Sequence, residues 1–246
     1  MKENKDKVKD QKTPKVNPAT GEQVTLFHRV QNYIEENRNL VLGISIGLIV
    51  VTALFFFIKG RIEKSAEEDQ NAASFALSKI TGLFLANDYE KALKGDPSVM
   101  VNNKPAMGLI EIVSKYGSTK QAKIAALYAG ICYNGLNNYQ DGMKYFKKAQ
   151  DAESPVILEG ANAGLGVCSE ALGKLEDAAK YYEKAVVVSK VPGTRNRYQY
   201  FEGLCYEKLG KKDLAEKIYR EIIAENSSEF AGMSKAGLIR LGTIIE

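Results

Sequence analysis

The sequence predicts an all-α protein, a single N-terminal transmembrane helix followed by an α-solenoid of paired helices. Three observations predict it. Leu40 to Ile58 (LVLGISIGLIVVTALFFFI) is nineteen residues without a charge. At ~1.5 Å per residue that run spans roughly 28 Å, close to the hydrocarbon thickness of a bilayer, and it lacks the polar face that a core helix of a soluble protein keeps. Three later segments, starting at Gly130, Gly166 and Gly203, align without a gap, with their glycines 36 and 37 residues apart. Each of them reads as helix, break, helix, with the breaks at Asn137-Asn138, Gly173-Lys174 and Gly210-Lys211.

The elements follow in chain order. Residues 1–23 are Lys-rich, hold Pro14, Pro18 and Gly21, and have too few apolar groups to offset chain entropy, so a disordered basic tail is expected. Over residues 24–39, Leu26, Phe27, Val30, Tyr33 and Ile34 fall at helical spacing beside Arg29, Gln31, Glu35 and Glu36. That pattern predicts an amphipathic juxtamembrane helix at the membrane surface, continuous with the span. His28, the single histidine, sits on it and cannot build a metal cluster alone. Residues 40–58 are the span. The run starts after 39 residues and is followed by Lys59-Gly60-Arg61, which is no cleavage site, and no cysteine near it offers a lipid anchor. Within it Gly43 and Gly47 form a GxxxG pair, a candidate face for a second membrane helix. Residues 59–117 are expected to hold a helical hairpin (66–93) and, over Lys104 to Tyr116, helix B of a degenerate earlier unit. Three repeats occupy residues 118–227, and residues 228–246 a capping helix from Phe230 to Ile245.

Charge narrows the function. Residues 1–64 carry 11 Lys/Arg and 7 Asp/Glu, a net +4, whereas residues 65–246 carry 23 of each. A neutral soluble part lacks the concentrated basic surface that nucleic-acid binding needs. Orientation is ambiguous from the near flanks, with Arg29 and Arg38 on one side and Lys59, Arg61 and Lys64 on the other. Because a long C-terminal domain translocates largely regardless of its charge, the lysine-rich tail favours an N-terminus in the cytoplasm.

The repeated segments resemble the tetratricopeptide repeat, which places a small residue in helix A, an aromatic three residues on, and an Ala-x3-aromatic-x2-Ala run in helix B. Gly130, Gly166 and Gly203 take the small position, with Tyr133 and Tyr206 three residues on and Ser169 as a departure. In helix B, Ala178, Tyr182 and Ala185 fit in full; Gly142 replaces the first Ala of the first repeat and Ile222 the last of the third, so the packing there is looser or differently filled. The aromatics are Phe146, Tyr182 and Tyr219. Cys132, Cys168 and Cys205 recur at the same spacing, which marks one small semi-buried position on successive A helices rather than a redox or metal site.

No enzyme fits. The soluble part has no histidine for a nucleophilic set, and Gly164-Leu165-Gly166 lies inside a helix without a preceding strand, so it cannot cradle phosphate. No cofactor, metal or small-molecule substrate is implied. What the resemblance does imply is a peptide groove lined by helix A. Carried over by register it places Leu127, Ile131, Ala163, Val167, Tyr200 and Leu204 there, with Arg197 beside them. The lining lacks the Lys and Asn of a carboxylate clamp, so it suits an apolar or amphipathic segment of a partner, or an intramolecular helix. Packing between helices is the competing role for these residues.

Basic tail, amphipathic helix, one span, helical hairpin and about three repeats together resemble the membrane-anchored ancillary subunits of the bacterial Sec translocon. That resemblance implies an inner-membrane protein with a periplasmic repeat domain, whose partners are translocon subunits and exported or unfolded client proteins. An envelope-assembly or cell-division scaffold with fixed partners, and a cytoplasm-facing recruitment platform, stay open beside it.

Overall fold

The structure, a computed structural model, describes residues 21–101, 104–225 and 229–243. The expected basic tail lies outside these up to residue 20, as do residues 102–103 of the expected 59–117 segment, 226–227 of the expected third repeat, and 228 and 244–246 of the expected cap. The chain divides into two compact units, the first ending at Glu63 and the second beginning at Lys64.

In the first unit, α1 (Gly21–Glu36) starts three residues inside the expected tail. It is followed by α2 (Arg38–Leu85), which enters the second unit at Lys64. The expected continuity between them is broken at Asn37. Asn37 alone is non-helical between them, although its N–H donates to the Tyr33 carbonyl at 3.0 Å and its carbonyl accepts from the Val41 N–H at 2.9 Å. The Asn37 side chain closes the end, donating through Nδ2 to the Tyr33 carbonyl at 3.0 Å. A short amide that bonds the local backbone competes with the helix ladder, which is why the break falls there. Within α2 the charge-free stretch is uncovered, and α2 is the one described helix long and apolar enough to cross a membrane. Its Thr52 hydroxyl donates to the Ile49 carbonyl at 2.9 Å, so that polar group is satisfied inside the helix.

The second unit continues with α3 (Tyr89–Lys94), β1 (Met100–Val101), β2 (Lys104–Pro105), α4 (Leu109–Lys115), α5 (Lys120–Gly135) and α6 (Tyr139–Ala149). It ends with α7 (Pro155–Ala171), α8 (Leu175–Val188), α9 (Pro192–Lys208), α10 (Lys212–Glu225) and α11 (Phe230–Leu241). Pairs α5/α6, α7/α8 and α9/α10 are the three repeats, each helix packed on its neighbours in sequence. Pro155 and Pro192 start the second and third A helices at their first turn, where no intrahelical N–H is lost.

Every A helix ends in the same turn. Asn137 (φ 58°), Gly173 (φ 73°) and Gly210 (φ 71°) are left-handed, and the following N–H reaches back five residues, Asn138 to Tyr133 at 2.8 Å, Lys174 to Ser169 at 2.8 Å and Lys211 to Tyr206 at 2.9 Å. This Schellman closure satisfies carbonyls that the helix end would otherwise leave bare. The same turn occurs a fourth time, at Asn87 (φ 58°), with Asp88 N–H on the Leu83 carbonyl at 3.0 Å. Tyr89 donates to the Asn87 side chain at 2.7 Å as Tyr139 does to Asn137 at 2.8 Å. The end of α2 is thus helix A of an earlier unit, and α3 begins its helix B.

The helical hairpin expected over 66–93 is present as the end of α2 and α3. One expectation is corrected: Lys104 to Tyr116 is not one helix, since Lys104–Pro105 pairs antiparallel with Met100–Val101 and only Leu109–Lys115 is helical. The physical cause is an insertion. Gly95 (φ 91°) breaks α3, and a Cβ on Gly108 would stand 2.4 Å from the Gly95 nitrogen, so the loop leaves and returns at one point. Helix B stops at Gly95, one residue short of Asp96, the repeat position of Phe146, Tyr182 and Tyr219. With no ring to receive, the small position of helix A holds Ile80, fully buried.

Candidate interaction surface

Rings and missing side chains fix the repeat faces. A Cβ on Gly130 would lie 2.6 Å from the Phe146 ring and one on Gly164 2.4 Å from it, so Phe146 is held between its own A helix and the next. Tyr219 sits likewise between Gly203 (2.7 Å) and Gly237 of α11 (2.5 Å). Tyr182 lies 2.6 Å from a Cβ on Gly166, and on its far side meets Phe201, ring centroids 5.6 Å apart, at the repeat position of Gly164. Gly142, where the repeat pattern has Ala, is filled by a neighbour: its Cβ would stand 3.2 Å from Cys168 Sγ. Ile222, where the pattern ends in Ala, is fully buried in the core of α9 to α11.

The residues predicted to line the groove divide by burial. Leu127 is 8 % exposed and packs its methyl groups on Gly160, and Tyr200 is 6 % exposed, ringed by Phe201, Tyr219 and Phe230 at 5.8–6.1 Å. Both serve helix packing. Ile131, Ala163 and Leu204 are half-buried at the edges of three successive core clusters, and Val167 is 38 % exposed. Arg197 is exposed, its guanidinium 5.0 Å over the Tyr198 ring and donating to the Tyr198 hydroxyl at 3.1 Å. Arg195, two residues before it, is tied to Glu225 at 2.9 Å. In the first unit Gly43 and Gly47 have nothing within 4 Å of an added Cβ.

A cleft that the sequence reading did not locate lies at the other end of the A helices. It measures about 710 Å³, between the first turns of α5 and α7 and the α6–α7 loop, with Lys120 and Lys123 on one wall and Asp151 and Glu153 on the other. The walls are bridged at 3.8 Å (Lys120–Glu153) and 3.4 Å (Lys123–Asp151), over an apolar floor that includes Ile124 and Val156. The signal was present as two lysines at i, i+3 facing an acidic five-residue loop, but charged loop residues look the same when merely solvated.

Elsewhere the buried groups are chemically quiet. Cys132, Cys168 and Cys205 are buried free thiols. Burial pushes them up to about 12, 11 and 12, far from the thiolate that redox or metal chemistry uses. Glu202 is the exception. Burial first, then the charges of Glu183 and Glu221, push its carboxyl up to about 7.

Comparison with known proteins falls on the same register. Residues 170–229 match the family model of the tetratricopeptide repeat. The match runs from the end of α7 to the start of α11 and so takes in α8, α9 and α10. A comparison with curated proteins gives no match. Tetratricopeptide repeats serve protein–protein interaction.

Proposed function

We propose that this chain is a non-enzymatic, membrane-tethered tetratricopeptide adaptor of the bacterial inner membrane. Its N-terminus lies in the cytoplasm and its repeat unit in the periplasm, where it holds segments of exported or unfolded client proteins beside the Sec translocon. One observation carries the reading: the uncovered, charge-free stretch of α2 belongs to the same chain as a tetratricopeptide stack. A charge-free run of nineteen mostly apolar residues in water would be a severe aggregation liability, and a bilayer removes it. Tethering then raises the effective concentration of the stack at the membrane, so weak, sequence-tolerant binding suffices. The translocon as the site of action rests on the resemblance in layout.

A second reading is a scaffold with fixed partners. It is favoured by the burial of Leu127 and Tyr200, which leaves the helix-A line with little apolar area to spend on varied clients. Photo-crosslinkers placed at Val167, Arg197 and Val156 in intact membranes separate the two. Translocon subunits and a spread of newly exported chains are expected; a single recurrent product would replace the adaptor with the scaffold. Protease treatment of spheroplasts is expected to degrade residues 65–246, and protection of that unit would overturn the orientation.

A further inference from the structure

The apolar arc of α1 is used by nothing among the described residues. Leu26, Phe27, Val30, Tyr33 and Ile34 are each between 44 and 66 % exposed. With 3.6 residues per turn they fall within an arc of roughly 120°, and His28, Arg29, Gln31, Asn32, Glu35 and Glu36 fill the remainder. A strip so cleanly divided is made to lie along a boundary between an apolar and an aqueous medium.

We infer that α1 lies in the plane of the membrane interface, with that arc in the upper acyl region, as a second membrane contact of this chain. The inference rests on the anchor reading of α2. Two features select lipid over a protein groove as the occupant. Ile34, the last apolar residue of α1, is six residues before Leu40, the first of the span, so α1 is tied within about two turns of the hydrocarbon. The helix is divided at Asn37, a joint that a surface helix beside a span requires. An unbroken helix would carry the arc straight out into water.

The charge on α1 sets which lipid surface it fits. Arg29 shares the polar side with Glu35 and Glu36, so that side of α1 is not basic. Binding comes from apolar burial and scales with the area of five side chains. Zwitterionic lipid therefore suffices for α1.

The chain contains no tryptophan, so single replacements give unambiguous reporters. Full-length protein carrying Phe27→Trp, Asn32→Trp or Ile49→Trp is reconstituted in phosphatidylcholine vesicles with lipids brominated at shallow or deep chain positions. Phe27→Trp is expected to emit to the blue of Asn32→Trp and to lose most of its emission to shallow bromines. Ile49→Trp should be quenched best by deep ones. Adding phosphatidylglycerol should leave the Phe27→Trp signal unchanged. If Ile49→Trp is quenched while Phe27→Trp is as wet as Asn32→Trp, the surface helix is overturned and the anchor stands. An unquenched Ile49→Trp removes the anchor itself. A Phe27→Trp reporter that is blue-shifted but unquenched means protein covers the arc, and quenching that needs acidic lipid contradicts the apolar origin; each result overturns the inference.

Discussion

Glycine and ring share one space in each repeat, so adding a single methyl group is felt. Gly203→Ala places a carbon 2.7 Å from the Tyr219 ring, which is itself fully buried and cannot withdraw. Overpacking of this kind costs about 1–3 kcal/mol, whereas Gly232→Ala, in open space inside α11, is expected to stabilise by about 0.5–1 kcal/mol. Denaturant titration of the two variants checks both signs. Glu202 tests the same register from the polar side. It occupies the repeat position of Ala129 and Leu165, both fully buried. Its folded carboxyl titrates near 7, above its ordinary 4.5, so the folded state holds a proton that the unfolded state has released. Stability from this residue is complete below about 4.5 and is lost as pH rises through about 7. Glu202→Gln should therefore leave stability at pH 4 nearly unchanged and raise it at pH 8 by about 1–2 kcal/mol, seen as a flatter dependence of melting temperature on pH.

Between elements, charge joins repeats where the rings alone would only stack. Glu170 of α7 accepts from the Tyr182 hydroxyl at 3.1 Å and from Lys208 of the next A helix at 2.5 Å. One repeat later Glu207 accepts from Tyr219 at 2.7 Å and, through both oxygens, from Arg240 of α11 at 2.7 and 2.9 Å. Arg240 and Tyr219 hold the Glu207 carboxyl below its ordinary range, as a paired acid should be. The first repeat has Asn134 and Phe146 at these positions and no such clamp. Arg240→Met is expected to speed amide exchange in α11 while α7 and α8 keep their protection, and unchanged exchange in α11 would show that the clamp holds nothing. The three repeats and their boundaries were legible because glycine, cysteine and aromatic recur together at 36 and 37 residues. Asn87-Asp88-Tyr89 carries the same turn as Asn137-Asn138-Tyr139, yet the earlier unit was hidden: the loop from Gly95 to Gly108 removes the ring, and Ile80 replaces the glycine that would have flagged it. For the helix-A line, spacing identifies which residues share a face but not how far a neighbouring helix covers it, so Leu127 and Tyr200 could not be told from Ile131 and Leu204.

At the scale of the whole second unit, the buried side chains fall into three clusters rather than one continuous core. The first runs from α2 through α7, the second joins α8 and α9, and the third joins α9, α10 and α11. In a stack where each unit touches only its neighbours, stability is a sum of local terms and damage stays near its origin. The cysteines report this directly, since the A helix of each of the three repeats holds one, fully buried, with Cys132 and Cys168 in the first cluster and Cys205 in the second. Their raised titration and burial both block alkylation in the folded chain, so labelling at pH 8 proceeds through local opening. Phe146→Leu removes part of a ring held between Gly130 and Gly164, a loss of about 1–2 kcal/mol at the joint of the first and second repeats. Iodoacetamide labelling followed by peptide mass spectrometry is expected to quicken about five- to thirtyfold at Cys132 and Cys168, the factor that such a loss converts to, and to change little at Cys205. Equal acceleration at all three thiols would mean that the unit opens as a single cooperative block, and the local account of its stability would fail.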